Sequence, residues 1–110
     1  MNSGRRAERR AACWYRVRGY RVLDRNAWIG GYELDLVLRR GRRLVFCEVK
    51  AKLGEGFGAP EEMVDFEKQR RLRRAGEAWL AQHPESGGLV VSFDVIAIQG
   101  GRLHRLAEAF

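Results

Sequence analysis

The sequence predicts an α/β (α+β) domain, a mixed β-sheet flanked by helices in the order α-β-β-β-α-β with a short β element to close. Three observations carry this. Two stretches hold apolar residues at helical spacing. The stretch YELDLVLRRGRRLVFCEVK reads as two β-rich runs joined at a glycine, and GGLVVSFDVIAI is a further β-rich run. Helices alternating with strands in this way pack against the faces of a sheet.

Residues 4–18 read as the first helix. Ala7, Ala11 and Trp14 fall on one side and Arg5, Arg9 and Arg16 on the other, with Gly19 as the C-cap. YRVLDRN is the first strand, with Tyr20, Val22 and Asp24 alternating against Arg21, Leu23 and Arg25; a loop holding Trp28 and Gly30-Gly31 follows. The hairpin comes next, turning around Arg40-Gly41-Arg42. The Gly-rich LGEGFGAP then interrupts the pattern. A second helix is expected from Pro60 or Glu61 to Gln82, with proline and acids at its start. Its apolar stripe is Val64, Leu72, Ala75 and Trp79. RLHRLAEAF closes the chain as a short strand or turn.

At 110 residues the chain is long enough for one domain with one modest core. An apolar content of 45% argues against global disorder, and no run reaches the ~18 apolar residues of a membrane span. The Arg-rich N-terminus lacks an apolar segment, so no secretory signal and no membrane association are expected. Cys13 and Cys47 lack metal-ligand spacing, which favours a reduced, cytoplasmic setting.

Charge says more. Lys and Arg number 21 against 14 Asp and Glu, a net +7, and the basic residues cluster: Arg5, Arg6, Arg9, Arg10; Arg39, Arg40, Arg42, Arg43; Lys68, Arg70, Arg71, Arg73, Arg74. Such clusters suit a polyanion, because neutralised phosphates release counterions. A protein that uses arginine for ordinary solubility is the less favoured alternative.

The hairpin carries the chemistry. Side chains alternate along a strand, so Leu44, Phe46, Glu48 and Lys50 share a face. A two-residue turn at Arg40-Gly41 or at Gly41-Arg42 brings Glu33 and Asp35 to that same side; an odd-length turn separates them. Three carboxylates crowded on one face with a single ammonium raise one another's pKa values as like charges, a cost that a divalent cation relieves. Mg²⁺ takes hard oxygen ligands, and Lys50 is then placed to orient water or to neutralise charge on phosphorus. Spacing alone leaves a second reading open, a network of exposed cross-strand ion pairs. Glu8 stands among arginines beside the apolar edge of the first helix, as an acid reaching toward the sheet or as a local ion pair. Lys68 sits in the apolar stripe of the second helix, aimed at the acids or lying along the core edge.

YELDLVLRR…RLVFCEVKAK, FGAPEEMVDFEKQRRLRRAGEAWL and SFDVIAI together resemble the YraN-type family of small bacterial proteins. That family is similar to the PD-(D/E)xK restriction-endonuclease-like nucleases and to archaeal Holliday-junction resolvases. The resemblance covers almost the whole chain and rests on Glu8, Glu33-x-Asp35, Glu48-x-Lys50, Phe57-Gly58, Lys68 and Phe93-Asp94-Val95 in that order. It implies a restriction-endonuclease-like fold in a bacterial cytoplasm. It makes Asp35 and Glu48 metal-binding acids, with the Val49 carbonyl as a further ligand, Lys50 the catalytic lysine and Glu8 the helix acid completing the site. Asp94 is expected in a buried ion pair with an arginine, and Glu33 receives no role. Tyr32 stands where the family usually has Gly, Ala7 precedes Glu8 in place of Gly, and Ser92 replaces an Arg; none of these removes a catalytic-type side chain.

The expectation is a Mg²⁺-dependent endonuclease, with Mn²⁺ as substitute, that hydrolyses DNA phosphodiesters, branched structures among them. Its oligomeric state is open, with a homodimer the arrangement that the resolvase resemblance suggests. Arg5, Arg9, Arg40, Arg42, Lys52 and Lys68 would hold phosphates, and Trp28 and Phe57 would pack on bases or anchor loops. The rival is a non-catalytic nucleic-acid-binding or assembly protein that keeps the fold as a scaffold.

Overall fold

Five strands form one mixed sheet in the spatial order β1-β2-β3-β4-β5, with a helix against each face. The computed structural model describes residues 3–52 and 65–110. The elements are α1 (Ser3–Val17), β1 (Arg21–Ile29), β2 (Tyr32–Arg40), β3 (Arg43–Lys52), α2 (Phe66–Gln82), β4 (Val90–Gln99) and β5 (Arg102–Leu106), with a 3-10 turn at Pro84–Ser86. The predicted order therefore holds, and the closing segment forms a true strand, β5. The Gly-rich stretch, Phe57, Val64, the expected helix start at Pro60 or Glu61 and the Lys52 side chain lie outside the described residues. α2 itself begins at Phe66, where Asp65 caps it by accepting the Lys68 N–H at 2.8 Å.

β1–β2, β2–β3 and β4–β5 are antiparallel, while β3 and β4 are parallel and α2 lies between them in the chain. A parallel neighbour needs such a crossover, and burial on both faces explains the continuous apolar run Leu44–Cys47 in β3. On one face Leu34, Val37, Leu44, Phe46, Phe93 and Val95 pack against Leu72, Ala75 and Trp79 of α2. On the other, Leu36, Leu38, Val45, Cys47 and Ile96 pack against Ala11, Ala12 and Tyr15 of α1.

Small residues set how closely the helices lie. A Cβ on Gly76 would stand 3.1 Å from the Phe46 ring, so any larger residue there would press that ring back by a few tenths of an ångström. Gly19 ends α1 as predicted: its N–H reaches Arg16 O and the Tyr20 N–H reaches Tyr15 O, each at 3.0 Å, a Schellman motif. The core stripe of α1 is rotated from the expected one, since Tyr15 is fully buried and Trp14 only partly.

β1 departs from expectation in two ways. It runs on to Ile29, so Trp28 lies in a strand opposite Glu33 and not in a loop, because Gly30 and Gly31 alone make the turn. It also shifts register between Val22 and Asp24. That bulge ends the predicted alternation: Val22 packs on the α1 side, while Asp24 accepts the Trp79 indole N–H of α2 at 3.0 Å.

Asp94, on β4 beneath α1, is buried as predicted with an arginine. Arg105 reaches its Oδ2 at 2.9 Å, the Tyr15 hydroxyl donates to the same oxygen at 2.6 Å, and the Glu108 N–H donates to Oδ1 at 3.1 Å. Burial, together with the Cys47 and Asp94 charges, pushes the Tyr15 phenol above its ordinary range, so it stays a donor.

Candidate active site

The hairpin turn decides which residues meet. Arg40 pairs with Arg43, so the two-residue turn is Gly41-Arg42, and Gly41 supplies the positive φ of 60° that its first position demands. This is the second of the two predicted registers, and it carries Asp35 toward Glu48. The paired ladder reaches Leu36–Cys47. Just beyond it the Asp35 side chain takes over, its Oδ2 accepting the Val49 N–H at 2.8 Å. A carboxylate thus lies against the backbone of the strand that supplies Glu48 and Lys50.

Glu48 continues the Leu44–Phe46 face, which places it under α2. Its Oε2 receives the Lys50 ammonium at 3.2 Å and the Lys68 ammonium at 2.9 Å. Lys68 precedes Leu72 by one helical turn, so the stripe that buries Leu72 carries its ammonium to the end of the sheet. Of the two readings for Lys68, the aim at the acids is the one observed.

Glu33 is handled differently. Leu34 packs on the α2 side and Leu36 on the α1 side, so the strict alternation of β2 breaks between them. The single shared face predicted for Glu33, Asp35, Glu48 and Lys50 is corrected accordingly. Glu33 joins Glu8 of α1, and Asp35 stands at the break between the two sides. Oxygens of Glu8, Glu33 and Asp35 lie within 4.8 Å of one another. The Asn26 amide donates to Glu8 Oε1 at 2.9 Å.

Electrostatics follow from this crowding. Burial first, and then the Glu48 charge, push the Asp35 carboxyl up to about 8, against the lowering effect of the Val49 N–H. Burial works against the Lys50 ammonium, but hydrogen bonding with Lys68 and the charges of Glu48 and Asp35 outweigh it and raise its pKa. Burial and the hydrogen bond with Lys50 lower that of Lys68. Burial with the Glu48 and Asp35 charges holds the Tyr32 phenol above its usual range.

Four carboxyl groups therefore gather around two ammonium groups. The side chains of this set offer hard carboxylate oxygens, which are what a small divalent cation selects. The donor set fits such a cation. Asp35 is the member shared by the Glu8–Glu33 group and by Glu48, so the trio with Glu33 extends the predicted ligands Asp35, Glu48 and Val49.

An open cleft of about 450 Å³ exposes these groups, bordered by Trp28, Tyr32, Glu33, Asp35, Glu48, Lys50, Lys68 and Arg71. Trp28 is 74% exposed at its rim. A second cleft of about 460 Å³ lies across Glu8, bordered by Arg5, Arg9, Arg25 and Asn26. Arg5 and Arg9 thus adjoin the site. Arg40 and Arg42 do not: Arg42 is six strand residues from Glu48, roughly 20 Å at about 3.3 Å per residue. There the Arg40 guanidinium binds Arg18 O at 3.0 Å and covers the Tyr20 ring, and Arg42 reaches Gly88 O.

Sequence reasoning passed over Arg71, Tyr32, Arg25 and Asn26 as site residues. Arg71 was within reach, since it follows Lys68 by three and so shares its helix face. Among the described residues no helix is long and apolar enough to cross a membrane.

Known proteins resemble this chain over most of its length. The family model described as "Uncharacterised protein family UPF0102" matches residues 7–98. A UPF0102 protein of Halorhodospira halophila is 37% identical over 107 residues, covering 97% of this chain and 85% of its own length. One from Frankia casuarinae is 43% identical over 95 residues, covering 86% and 80%. One from Parvibaculum lavamentivorans is 44% identical over 108 residues, covering 97% and 80%. By this measure the chain belongs to the UPF0102, or YraN, family.

Proposed function

We propose that this protein is a divalent-metal-dependent endonuclease that hydrolyses DNA phosphodiester bonds at branched structures. The observation that carries the reading is the gathering of Glu33, Asp35 and Glu48 beside Lys50 and Lys68 in a cleft open to solvent, with Glu8 in the adjoining cleft and its carboxylate within 4.8 Å of those of Glu33 and Asp35. Buried acids in excess of their cations are costly, and a fold keeps them where a ligand resolves the cost.

Asp35, with Glu48, Glu8 and the Val49 carbonyl, would hold a Mg²⁺-type cation, with Mn²⁺ as substitute. Such a cation, when bound, supplies Lewis-acid neutralisation of the scissile phosphate. Asp35 keeps its proton near neutral pH in the metal-free protein and gives it up on loading, so metal uptake releases a proton. Lys50 holds its proton firmly and donates to the phosphoryl oxygen where charge builds. Lys68 fixes Glu48 from the side of α2 and helps to hold the incoming phosphate. Arg71 on one side and Arg5 and Arg9 on the other meet flanking phosphates, which sets affinity without reading sequence. Trp28 at the rim offers a flat face to an unstacked base, of the kind a branch point exposes.

The test uses linear, nicked and four-way-junction DNA with Mg²⁺, Mn²⁺ or EDTA, beside Glu48→Ala and Lys50→Ala. Metal-dependent cleavage lost in both variants is expected, strongest on the branched substrate. Cleavage that survives EDTA, or both substitutions, contradicts the mechanism. Binding without cleavage under every condition assigns the fold to the scaffold role.

A further inference from the structure

Asn26 sits inside β1 with φ of 51°, a left-handed backbone in the middle of an extended strand. Non-glycine residues seldom take that conformation, and asparagine tolerates it better than most. The pairing of β1 with β2 holds at Arg25–Leu36 and at Ala27–Leu34, and Asn26 falls in the gap between them, opposite Asp35. The kink and the end of regular alternation in β2 therefore occur at the same level of the sheet. Both clefts that meet at Glu8 are bordered by Asn26.

We infer that Asn26 is a positioning residue of this site, whose kinked backbone and side-chain amide hold the Glu8 carboxylate beside Asp35. The inference rests on the metal-site reading above. Glu8 is a long side chain on a half-exposed stretch of α1, free to swing toward Arg5 or Arg9. The Asn26 Nδ2, 2.9 Å from Glu8 Oε1, fixes one carboxylate oxygen and leaves the group facing Glu33 and Asp35. An extended residue at this position would follow the strand's alternation and send its amide elsewhere. Asn26 carries no charge, so it orients Glu8 without competing for the cation. Groups that orient a ligand in this way typically govern about 10–100-fold in metal affinity or activity.

The experiment measures Mn²⁺ uptake by the full chain, without DNA, from the electron paramagnetic resonance of the free ion. It compares wild type, Asn26→Gly, Glu8→Gln and the double variant, with thermal melts of each. Glycine takes φ of 51° without strain, so Asn26→Gly removes the amide and keeps the kink. Asn26→Gly should weaken Mn²⁺ binding about tenfold or more, and should cost nothing further once Glu8 is Gln. Equal binding by Asn26→Gly and wild type overturns the inference while leaving the metal reading intact. So does an equal loss in the Glu8→Gln background, which would trace the effect to the strand and not to Glu8. Absence of Mn²⁺ uptake by the wild type removes the metal reading, and this inference with it.

Discussion

Two buried aspartates on one sheet have opposite fates. Asp94 is 1% exposed and its charge is fully answered by Arg105, the Tyr15 hydroxyl and a backbone N–H. Asp35 is 8% exposed; it accepts the Val49 N–H and faces the acids Glu48, Glu33 and Glu8, with the Lys50 ammonium near enough to feel its charge. The first network is closed and holds the C-terminal segment on β4. The second is open and short of positive charge. Burial of an acid therefore does not by itself single out a candidate site; burial beside further acids does.

Changing each acid to its amide separates the two most sharply. Asp35→Asn keeps an oxygen for the Val49 N–H and imitates the protonated acid that the fold already prefers. DNA cleavage should fall at least ~10³-fold, about 4 kcal/mol of barrier, while the melting temperature at pH 8 stays level or rises. Asp94→Asn should do the reverse. The amide keeps one acceptor oxygen but removes the charge opposite Arg105 and sets an NH2 donor against a donor, which costs about 3 kcal/mol, a drop of roughly 10 °C or more by calorimetry, with cleavage by the folded fraction retained. Should both variants lose stability alike, the contrast fails.

The pH dependence of metal stabilisation sharpens the same point. The Asp35 carboxyl is raised to about 8, so between about pH 4 and pH 8 the unfolded chain has lost a proton that the folded chain keeps. The unfolded state binds fewer protons there, and stability from this group falls as pH rises through that window. A cation takes the ionised form, so Mg²⁺ should raise the melting temperature more at pH 8 than at pH 5. Saturation at a hundredfold excess over Kd would supply about 2.7 kcal/mol. An equal or larger shift at pH 5 would point to binding away from Asp35.

Arg71→Ala should have the smallest effect. It removes one cation from the cleft wall, so binding to any DNA weakens alike and the salt dependence of affinity loses about one unit of slope. The turnover rate at saturating substrate should not change.

Much of this was legible in the sequence, for identifiable reasons. Period-two alternation in β3 placed Glu48 and Lys50 together, and the helical stripe that buries Leu72 aimed Lys68 at them. Gly41 allowed only a short turn, though not which of two registers. The position of Glu33 was not legible, because it follows a break in the alternation of β2 that only the packed sheet reveals. Trp28 was assigned to a loop because Gly30-Gly31 signals a turn without saying that the strand runs up to it. Arg40 and Arg42 were drawn toward the site by charge alone, whereas the hairpin turn and the open strand ends lie at opposite ends of the sheet. Family resemblance supplied the roles of Glu8 and Asp35 that spacing left open; the structure adds only that oxygens of Glu8, Glu33 and Asp35 lie within 4.8 Å of one another.

The claim that Asp35 belongs to a cation site is tested most directly by anomalous diffraction from crystals soaked in Mn²⁺. We expect one strong peak about 2.1 Å from an Asp35 carboxylate oxygen, with a Glu8, Glu33 or Glu48 oxygen at the same distance. A saturating soak that leaves no peak beside Asp35, or puts the ion elsewhere on the molecule, would contradict it.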